Sequence, residues 1–324
     1  MLDILAITGP IYITIALGFL SVRQNLFTRA DMRVFGKFVL NFALPALLFG
    51  ALAQRKLSEV LNPSYLTAYA LGSMSVVLLV LFWARKGLGK SRSASAYFAM
   101  GMTCSNSGYV GYPVLMLTLG PVAGVVLALN MLIENLLKLP FLMAVAETDP
   151  GPDGEHQSVW QVLRQTLLRL LKNPMIIGIL AGTLVAAMGW KLPQVVERTV
   201  SLFSLASGPL ALFVIGGSLV GLEVRGMRSD VARIALGKLI LHPLAVLLAV
   251  LALPYLGLAE LDATFRTAAV LSAAMPMIGI YAILAQRHGH DAVSAAALLT
   301  TTAASFFSIS TLLWALRQLP GWLG

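Results

Sequence analysis

The sequence predicts an all-α integral membrane protein: ten transmembrane helices arranged as two inverted five-helix repeats, in which helices 4 and 9 are broken. Three observations support this prediction. The 324 residues are 58% hydrophobic and only 11% charged, and the mean hydropathy of +0.84 lies well above that of soluble globular domains. Apolar windows of about 20 residues, enough to cross a hydrocarbon core of roughly 30 Å, recur along the chain. Prolines and glycines also recur at matched positions in the two halves.

Ten apolar windows are predicted to cross the membrane. In chain order they cover residues 4–21, 34–53, 64–83, 93–119, 121–146, 174–190, 199–222, 235–256, 264–286 and 292–316. Residues 1–146 then form the first repeat, residues 147–173 a cytoplasmic linker, and residues 174–324 the second repeat. Within the linker, Arg164, Arg169 and Lys172 are interleaved with leucines, as on a helix that lies along a membrane surface.

Lysines and arginines determine the predicted orientation. Most of them fall in loops after odd-numbered spans, whereas the loops after even-numbered spans carry only Arg55, Lys56, Lys191, Arg198 and Arg266. The positive-inside rule therefore places the odd loops in the cytoplasm, and both termini outside the inner, cytoplasmic membrane. The same rule explains the net charge of +9 without a nucleic-acid partner. The lipid bilayer is the partner that this composition predicts.

An internal repeat is the next feature. Four residues of the first half, Pro10, Gly18, Pro45 and Phe49, recur 164 positions later as Pro174, Gly182, Pro209 and Phe213. Pro113 recurs as Pro276 with a slip of one position. Because each copy holds five spans, an odd number, the second copy enters the membrane in the opposite sense. Inverted duplication of this kind is typical of secondary transporters.

The fourth and ninth spans each carry residues that disfavour a continuous helix. The fourth holds Asn106, Gly108, Gly111 and Pro113, and the ninth holds the sequence from Pro276 to Gly279. Unwound backbone must be buried in protein or line a wet cavity, because unsatisfied polar groups are costly in lipid. The ends of half-helices there could bind an anion such as a carboxylate. Alternatively, each motif is a simple proline kink.

These motifs resemble the auxin efflux carrier family, within the bile acid/auxin transporter superfamily. The resemblance rests on the spacing from Asn106 through Gly111 to Pro113, on the Met275-Pro276 pair, and on Asn41 placed before Leu44-Pro45. It implies that the fourth and ninth spans cross at the substrate site, where Asn106 would help to bind a carboxylate. It also implies a bacterial permease for a small organic acid such as malonate or malate. Association as a homodimer is a further implication.

Charged side chains within the fifth span are the remaining candidates. Glu134 and Lys138 lie one helical turn apart. A lone charge at this depth costs at least about 2.5 to 3.5 kcal/mol, so the face should point inward. Glu134 could carry a coupled proton or bind a cation. Alternatively, the pair neutralises itself and fixes helix packing.

His242 in the eighth span has two interpretations as well, a proton relay or a hydrogen-bonded packing residue.

The predicted function is secondary active transport of an organic anion by alternating access. A sodium-coupled symporter of the bile-acid type has the same plan, and a passive channel would also need a wet polar centre. An enzyme is disfavoured, because Asp149 and Asp153 are separated by proline and glycine residues that keep both carboxylates from sharing a helix face. The single cysteine, Cys104, excludes an intrachain disulfide. No cofactor or metal site is expected, apart from coupling to protons or sodium.

Overall fold

The computed structural model describes residues 2–55, 62–149, 164, 168, 171–221, 228–286, 288–319 and 321–322. All regular structure in these residues is helical. Twelve helices follow one another in the described residues: α1 Leu2–Arg23, α2 Arg29–Ala53, α3 Pro63–Lys86, α4 Arg92–Thr103, α5 Tyr112–Leu119, α6 Val122–Ala146, α7 Pro174–Met188, α8 Gln194–Ser218, α9 Arg228–Leu256, α10 Ala263–Ala274, α11 Tyr281–Gln286 and α12 Asp291–Gln318.

Seven of the described helices are long and apolar enough to cross a membrane: α1, α2, α3, α6, α8, α9 and α12. The predicted fourth and ninth spans are each divided between two shorter helices, α4 with α5 and α10 with α11. The predicted sixth span forms α7, which is 15 residues long. An all-helical membrane protein is thus confirmed, whereas the count of ten spans in inverted repeats stays a prediction.

Four π-helical turns interrupt or adjoin these helices, and each ends two residues before a proline. A proline cannot donate a backbone hydrogen bond, so the regular α-helical pattern fails just before it. The wider π turn is one way to accommodate that loss, and such turns are frequent at functional sites. The four turns are Val39–Ala43, Ser107–Gly111, Ile133–Lys138 and Gly237–Leu241, and the prolines are Pro45, Pro113, Pro140 and Pro243.

Contacts divide the chain into two compact units, each assembled from both halves of the sequence. The first unit comprises Met1–Pro63, Ser107–Met131 and Leu171–Gly221, and the second comprises Ser64–Asn106, Leu132–Leu170 and Leu222–Gly324. The predicted division into residues 1–146 and 174–324 is a division along the sequence, and it stays a prediction. Most of the linker between them lies outside the described residues, including most of its predicted surface helix and residues 150–153 of the motif that begins at Asp149.

Close backbone contact holds the first unit together, and the repeated residues take part in it. A Cβ atom at Gly18 in α1 would overlap the carbonyl oxygen of Phe213 in α8. A Cβ atom at Gly182 in α7 would lie 2.7 Å from the carbonyl oxygen of Phe49 in α2. Only glycine allows such an approach without displacing the backbone. The matched glycines therefore each contact the matched phenylalanine of the other half.

The second unit has an apolar core around α4 and α11. Tyr97 and Tyr281 are buried there, and each hydroxyl donates to a backbone carbonyl oxygen of the opposite helix: Tyr281 to Tyr97 at 2.8 Å and Tyr97 to Leu284 at 2.8 Å. Buried tyrosines need such acceptors, and here the acceptors fix the short helix α11. Other members of this core include Val76, Val80, Met100, Leu142, Ile234 and Met277.

Candidate functional site

The breaks in the predicted fourth and ninth spans pair with each other in the second unit. The amide of Asn106 donates to the carbonyl oxygen of Pro276 at 2.8 Å, and the amide of Ile278 donates to that of Cys104 at 3.1 Å. Ser105 and Met277 thereby form an antiparallel bridge. Backbone groups released by one broken helix are satisfied by the other. This pairing lets two helices end inside an apolar protein without exposing unsatisfied groups to lipid.

The first break begins earlier than the sequence predicts. Cys104 ends α4 in an extended conformation, while Gly108 and Gly111 lie in a π-helical turn and Pro113 lies in the first turn of α5. The predicted unwinding from Asn106 to Pro113 is therefore wrong for its later part. Proline is well tolerated in the first turn of a helix, where its missing donor has no partner to lose, so the irregularity falls on the residues before it.

The second break matches its predicted location. Helix α10 ends at Ala274, the next residues are non-helical, and α11 begins at Tyr281. Pro276 supplies the carbonyl that accepts from Asn106, and Gly279 lies in the turn that leads into α11. Pro276 lies between the two helices and not in the first turn of a helix, so its missing backbone donor interrupts the helical hydrogen bonding.

Glu134 and Lys138 lie beside the first break. The Lys138 ammonium is 2.6 Å from Glu134 Oε1, and both side chains are almost completely buried, with 0% and 2% of the side-chain surface exposed. Glu134 Oε1 also accepts from the amide of Ser105 at 3.0 Å, and Lys138 donates to the carbonyl oxygen of Thr103 at 2.8 Å. The pair thus satisfies an amide in the break and a carbonyl at the end of α4. Such a cation is favourable at a helix C-terminus.

Glu134 has a second oxygen, Oε2, which is buried and has no hydrogen-bond partner among the described residues. A buried carboxylate oxygen without a donor is costly. On the other side of the pair, the Lys138 ammonium lies 5.1 Å from the centre of the Tyr69 ring, within the range of a cation–π interaction. Both charges therefore have protein partners, and one acceptor is left over.

Lys238 is a fully buried basic residue at the second break, and it was not among the residues predicted from the sequence. Its ammonium is 2.6 Å from the carbonyl oxygen of Ala273 in the last turn of α10. It also lies 2.8 Å from the hydroxyl oxygen of Ser105 and 3.0 Å from Nδ1 of His242. The other ring nitrogen of His242 is 2.9 Å from the Ser73 hydroxyl. The signal for Lys238 was its spacing of one helical turn before His242 in an otherwise apolar span.

Ser105 connects the two charged groups. Its amide donates to Glu134, its hydroxyl accepts from Lys238, and the Tyr69 hydroxyl is a further partner of that hydroxyl at 3.4 Å. Ser105 belongs to the bridge between the breaks. One residue of the break therefore contacts both an acidic and a basic side chain, and we call Ser105, Glu134, Lys138, Lys238 and His242 the break cluster.

The remaining predicted site residues belong to the first unit. Asn41 lies in the π turn of α2, and its side-chain amide donates to the carbonyl oxygen of Lys37 at 2.7 Å. Gly108 lies close to α2 as well, since a Cβ atom there would be 3.1 Å from a methyl group of Leu44. Asn106, Pro276, Gly279, Glu134 and Lys138 are brought together in the second unit. Asn106 is only 4% exposed, so its side chain is closed off from solvent in this conformation.

Several hydroxyl groups in the middle of α12 donate to carbonyl oxygens of their own helix. Thr301 donates to Ala297, and Thr302 donates to Leu298, each at 2.7 Å to the carbonyl oxygen. Ser305 donates to Thr302 at 2.7 Å. These bonds satisfy the hydroxyls locally, as serine and threonine commonly do in apolar helices.

Comparison with known proteins identifies the class. Residues 6–315 match the model of a family described as "Membrane transport protein". With the apolar helices, this makes the chain a multi-pass membrane transporter. It belongs to this family, the auxin efflux carrier family, and the resemblance predicted from the sequence is confirmed.

Individual relatives agree with this assignment. The chain is 27% identical over 323 residues to "Putative malonate transporter" of Rhizobium meliloti (strain 1021), covering 98% of this chain and 97% of that protein. It is 28% identical over 245 residues to "Uncharacterized transporter YfdV" of Escherichia coli (strain K12), covering 74% and 76%. Similarity to "Auxin efflux carrier component 8" of Arabidopsis thaliana is 23% identity over 261 residues, covering 66% and 71%.

Proposed function

We propose that the protein moves a small organic anion, a carboxylate of the malonate type, across the inner membrane by alternating access. The observation that supports this most is the pairing of the two breaks through Asn106 and Pro276. Irregular backbone inside a membrane protein is typical of transporter substrate sites. The relative named as a malonate transporter, similar over nearly the whole chain, supports a dicarboxylate.

The proposed substrate site is built around Asn106 and the second break, from Pro276 to Gly279. Gly108, Gly111, Pro113 and Asn41, which belong to the first unit, were also predicted from the sequence to bind the substrate, and their role stays a prediction. Two basic residues, Lys138 and Lys238, and one acidic residue, Glu134, contact the break, so the break has an excess of positive charge whenever Lys238 is protonated. An excess of buried positive charge favours an anionic ligand.

Ten spans in two inverted repeats are part of this proposal. The reciprocal contacts of Gly18 with Phe213 and of Gly182 with Phe49 support it, because equivalent residues of two repeats exchange equivalent contacts about a pseudo-two-fold axis. With the distribution of basic loops, ten spans put both termini outside. Homodimer formation is proposed from the family alone.

Glu134 is the proposed site of any proton coupling, through its unpartnered oxygen Oε2. Binding a proton would remove the cost of a buried carboxylate without a donor. A sodium-coupled symporter is the alternative, since the break does have a carboxylate beside it. The Lys138 ammonium, 2.6 Å from that carboxylate, already occupies the place of a cation. We therefore expect transport to be independent of sodium.

Flux into proteoliposomes tests the proposal. Purified protein is reconstituted, and uptake of labelled malonate, malate, succinate and acetate is measured with and without sodium. We expect saturable malonate uptake in both conditions. Asn106→Ala should lower uptake about tenfold or more, the effect of losing one hydrogen bond to a charged group. The same change at Asn135, a half-buried asparagine of α6, is the control. Unchanged uptake of every transported anion by Asn106→Ala would refute the proposed site.

A further inference from the structure

Lys238 and His242 form a buried pair whose hydrogen bonds can be satisfied with or without one additional proton. Both side chains are fully buried. The Lys238 nitrogen has three polar neighbours, the Ser105 hydroxyl at 2.8 Å, the Ala273 carbonyl at 2.6 Å and His242 Nδ1 at 3.0 Å. The imidazole has one neighbour at Nε2, the Ser73 hydroxyl at 2.9 Å.

In the protonated form, Lys238 is an ammonium with three N–H donors. It donates one each to Ser105, Ala273 and Nδ1 of His242, and the imidazole keeps its hydrogen on Nε2 and donates it to Ser73. All three donors of the lysine and both ring nitrogens then have partners.

In the deprotonated form, Lys238 is a neutral amine with two donors and one lone pair. It donates to Ser105 and Ala273 and accepts from Nδ1–H of His242. The imidazole now carries its hydrogen on Nδ1, which also lies 3.1 Å from the Ala273 carbonyl oxygen. Nε2 accepts from the Ser73 hydroxyl. The two forms differ by one proton, which is released to water, and no heavy atom has to move.

Other titratable groups face this pair from the neighbouring helices. Lys138 and Glu134 come from α6, Cys104 from the end of α4, and Tyr69 from α3, whose ring centre is 6.1 Å from that of His242. Helix α10 presents the Ala273 carbonyl, and the charged residues of α12, Asp291 and Arg317, lie at its two ends. The positive charge of Lys138 disfavours a second positive charge on Lys238 or His242, whereas the negative charge of Glu134 favours it. The protonation state of Lys238 and His242 is therefore sensitive to the charge of whatever binds at the break.

We propose that Lys238 and His242 are a proton-binding site that takes up one proton when a carboxylate binds at the break. This inference rests on the proposed transport function. Lys238 donates to Ser105, a residue of the paired breaks, so the protonated form places a positive charge at the proposed anion site. An anion there favours the protonated form, and by linkage the protonated form binds the anion more tightly. Lys238 and His242 act as positioning and coupling residues, distinct from Glu134.

Malonate binding to the purified full chain in detergent tests the proposal. Calorimetry in two buffers that differ in ionisation enthalpy measures proton uptake, and the affinity is followed from about pH 6.5 to about pH 9. We expect uptake of close to one proton where the pair is deprotonated, and at least about a tenfold loss of affinity as the pH rises. Lys238→Arg should keep the affinity of the protonated form and lose both the pH dependence and the proton uptake, because arginine stays charged.

Lys86→Arg, the same change at an exposed lysine of α3, is the matched control and should behave as the parent protein. His242→Asn and Ser73→Ala provide tests that do not depend on the folding of Lys238→Arg. Each removes a member of the pair's hydrogen-bond network and should shift the pH midpoint of binding. Parental pH dependence and proton uptake in Lys238→Arg, or in both other variants, would overturn the proposal. A parent that binds malonate without proton uptake overturns it while leaving the transport function intact, whereas a parent that binds no carboxylate refutes both.

Discussion

The ion pair of Glu134 and Lys138 allows a quantitative prediction. Lys138 Nζ and Glu134 Oε1 are 2.6 Å apart, and both side chains are buried. Replacing Lys138 by methionine removes the cation beside the Glu134 carboxylate but keeps the Ser105 amide as a donor to it. Breaking a buried pair by removing one partner leaves an uncompensated charge and costs about 3–5 kcal/mol. Lys138→Met should therefore lower the free energy of unfolding by about that amount.

A second substitution should recover most of this loss. In the double variant Glu134→Gln with Lys138→Met, no buried charge remains, and the glutamine oxygen can still accept from Ser105. Replacing both partners of a buried pair is often close to neutral. We expect the double variant to lie within about 1–2 kcal/mol of the parent, the residual cost being the Thr103 carbonyl that loses its donor.

Reversible unfolding in mixed micelles measures these values, with tryptophan fluorescence as the probe, since the chain contains five tryptophans. Lys86→Met, at an exposed lysine of α3, is the control for removal of a lysine and should change stability little. A loss below about 0.5 kcal/mol for Lys138→Met, or additive effects in the double variant, would refute the view that the two charges compensate each other.

Two further predictions concern packing and pH. In Gly216→Ala, a Cβ atom would overlap a backbone carbonyl oxygen of α1, so we expect the free energy of unfolding to fall by about 1–3 kcal/mol or more. Gly9→Ala is the control and should be tolerated, because no atom lies within 4 Å of a Cβ atom at that position. Equal stability of the two variants would contradict this packing. Burial, and the nearby His288, lower the pKa of His290 below its ordinary value. A lowered histidine pKa stabilises the neutral form in the folded protein, so its contribution is present above about pH 6.5 and is lost as the pH falls below that value. His290→Gln should reduce the drop in melting temperature between about pH 7.5 and about pH 5.5, and an unchanged drop would contradict the assignment.

The sequence predicts local features of this protein well. Hydropathy locates the apolar helices, and Pro276 locates the second break, because a proline in the middle of an apolar segment has few structural alternatives. The shared face of Glu134 and Lys138 also follows from helical spacing, and the structure places these two side chains in contact. Matching residues 164 positions apart pointed to a repeat, whose members Gly18 and Phe213 are in contact.

Contacts between distant segments could not be predicted in the same way. Ser105 meets Lys238 across 133 positions of sequence, and no spacing rule connects them. The start of the first break at Cys104 depends on the pairing partner offered by Ile278, which is a tertiary contact. π-Helical turns were not predicted either, although each ends two residues before a proline. Their recurrence around Glu134, Lys138 and Lys238 connects local backbone irregularity with the buried charges.

A structure determined by electron cryomicroscopy with malonate present would show where the anion binds. We expect density for the anion within hydrogen-bonding distance of Asn106, beside the paired segments that contain Ser105 and Met277. The same map of the Asn106→Ala variant should lack that density while the pairing of the two segments persists. Anion density elsewhere in the protein, or undisturbed density in the variant, would show that the proposed site at Asn106 is wrong.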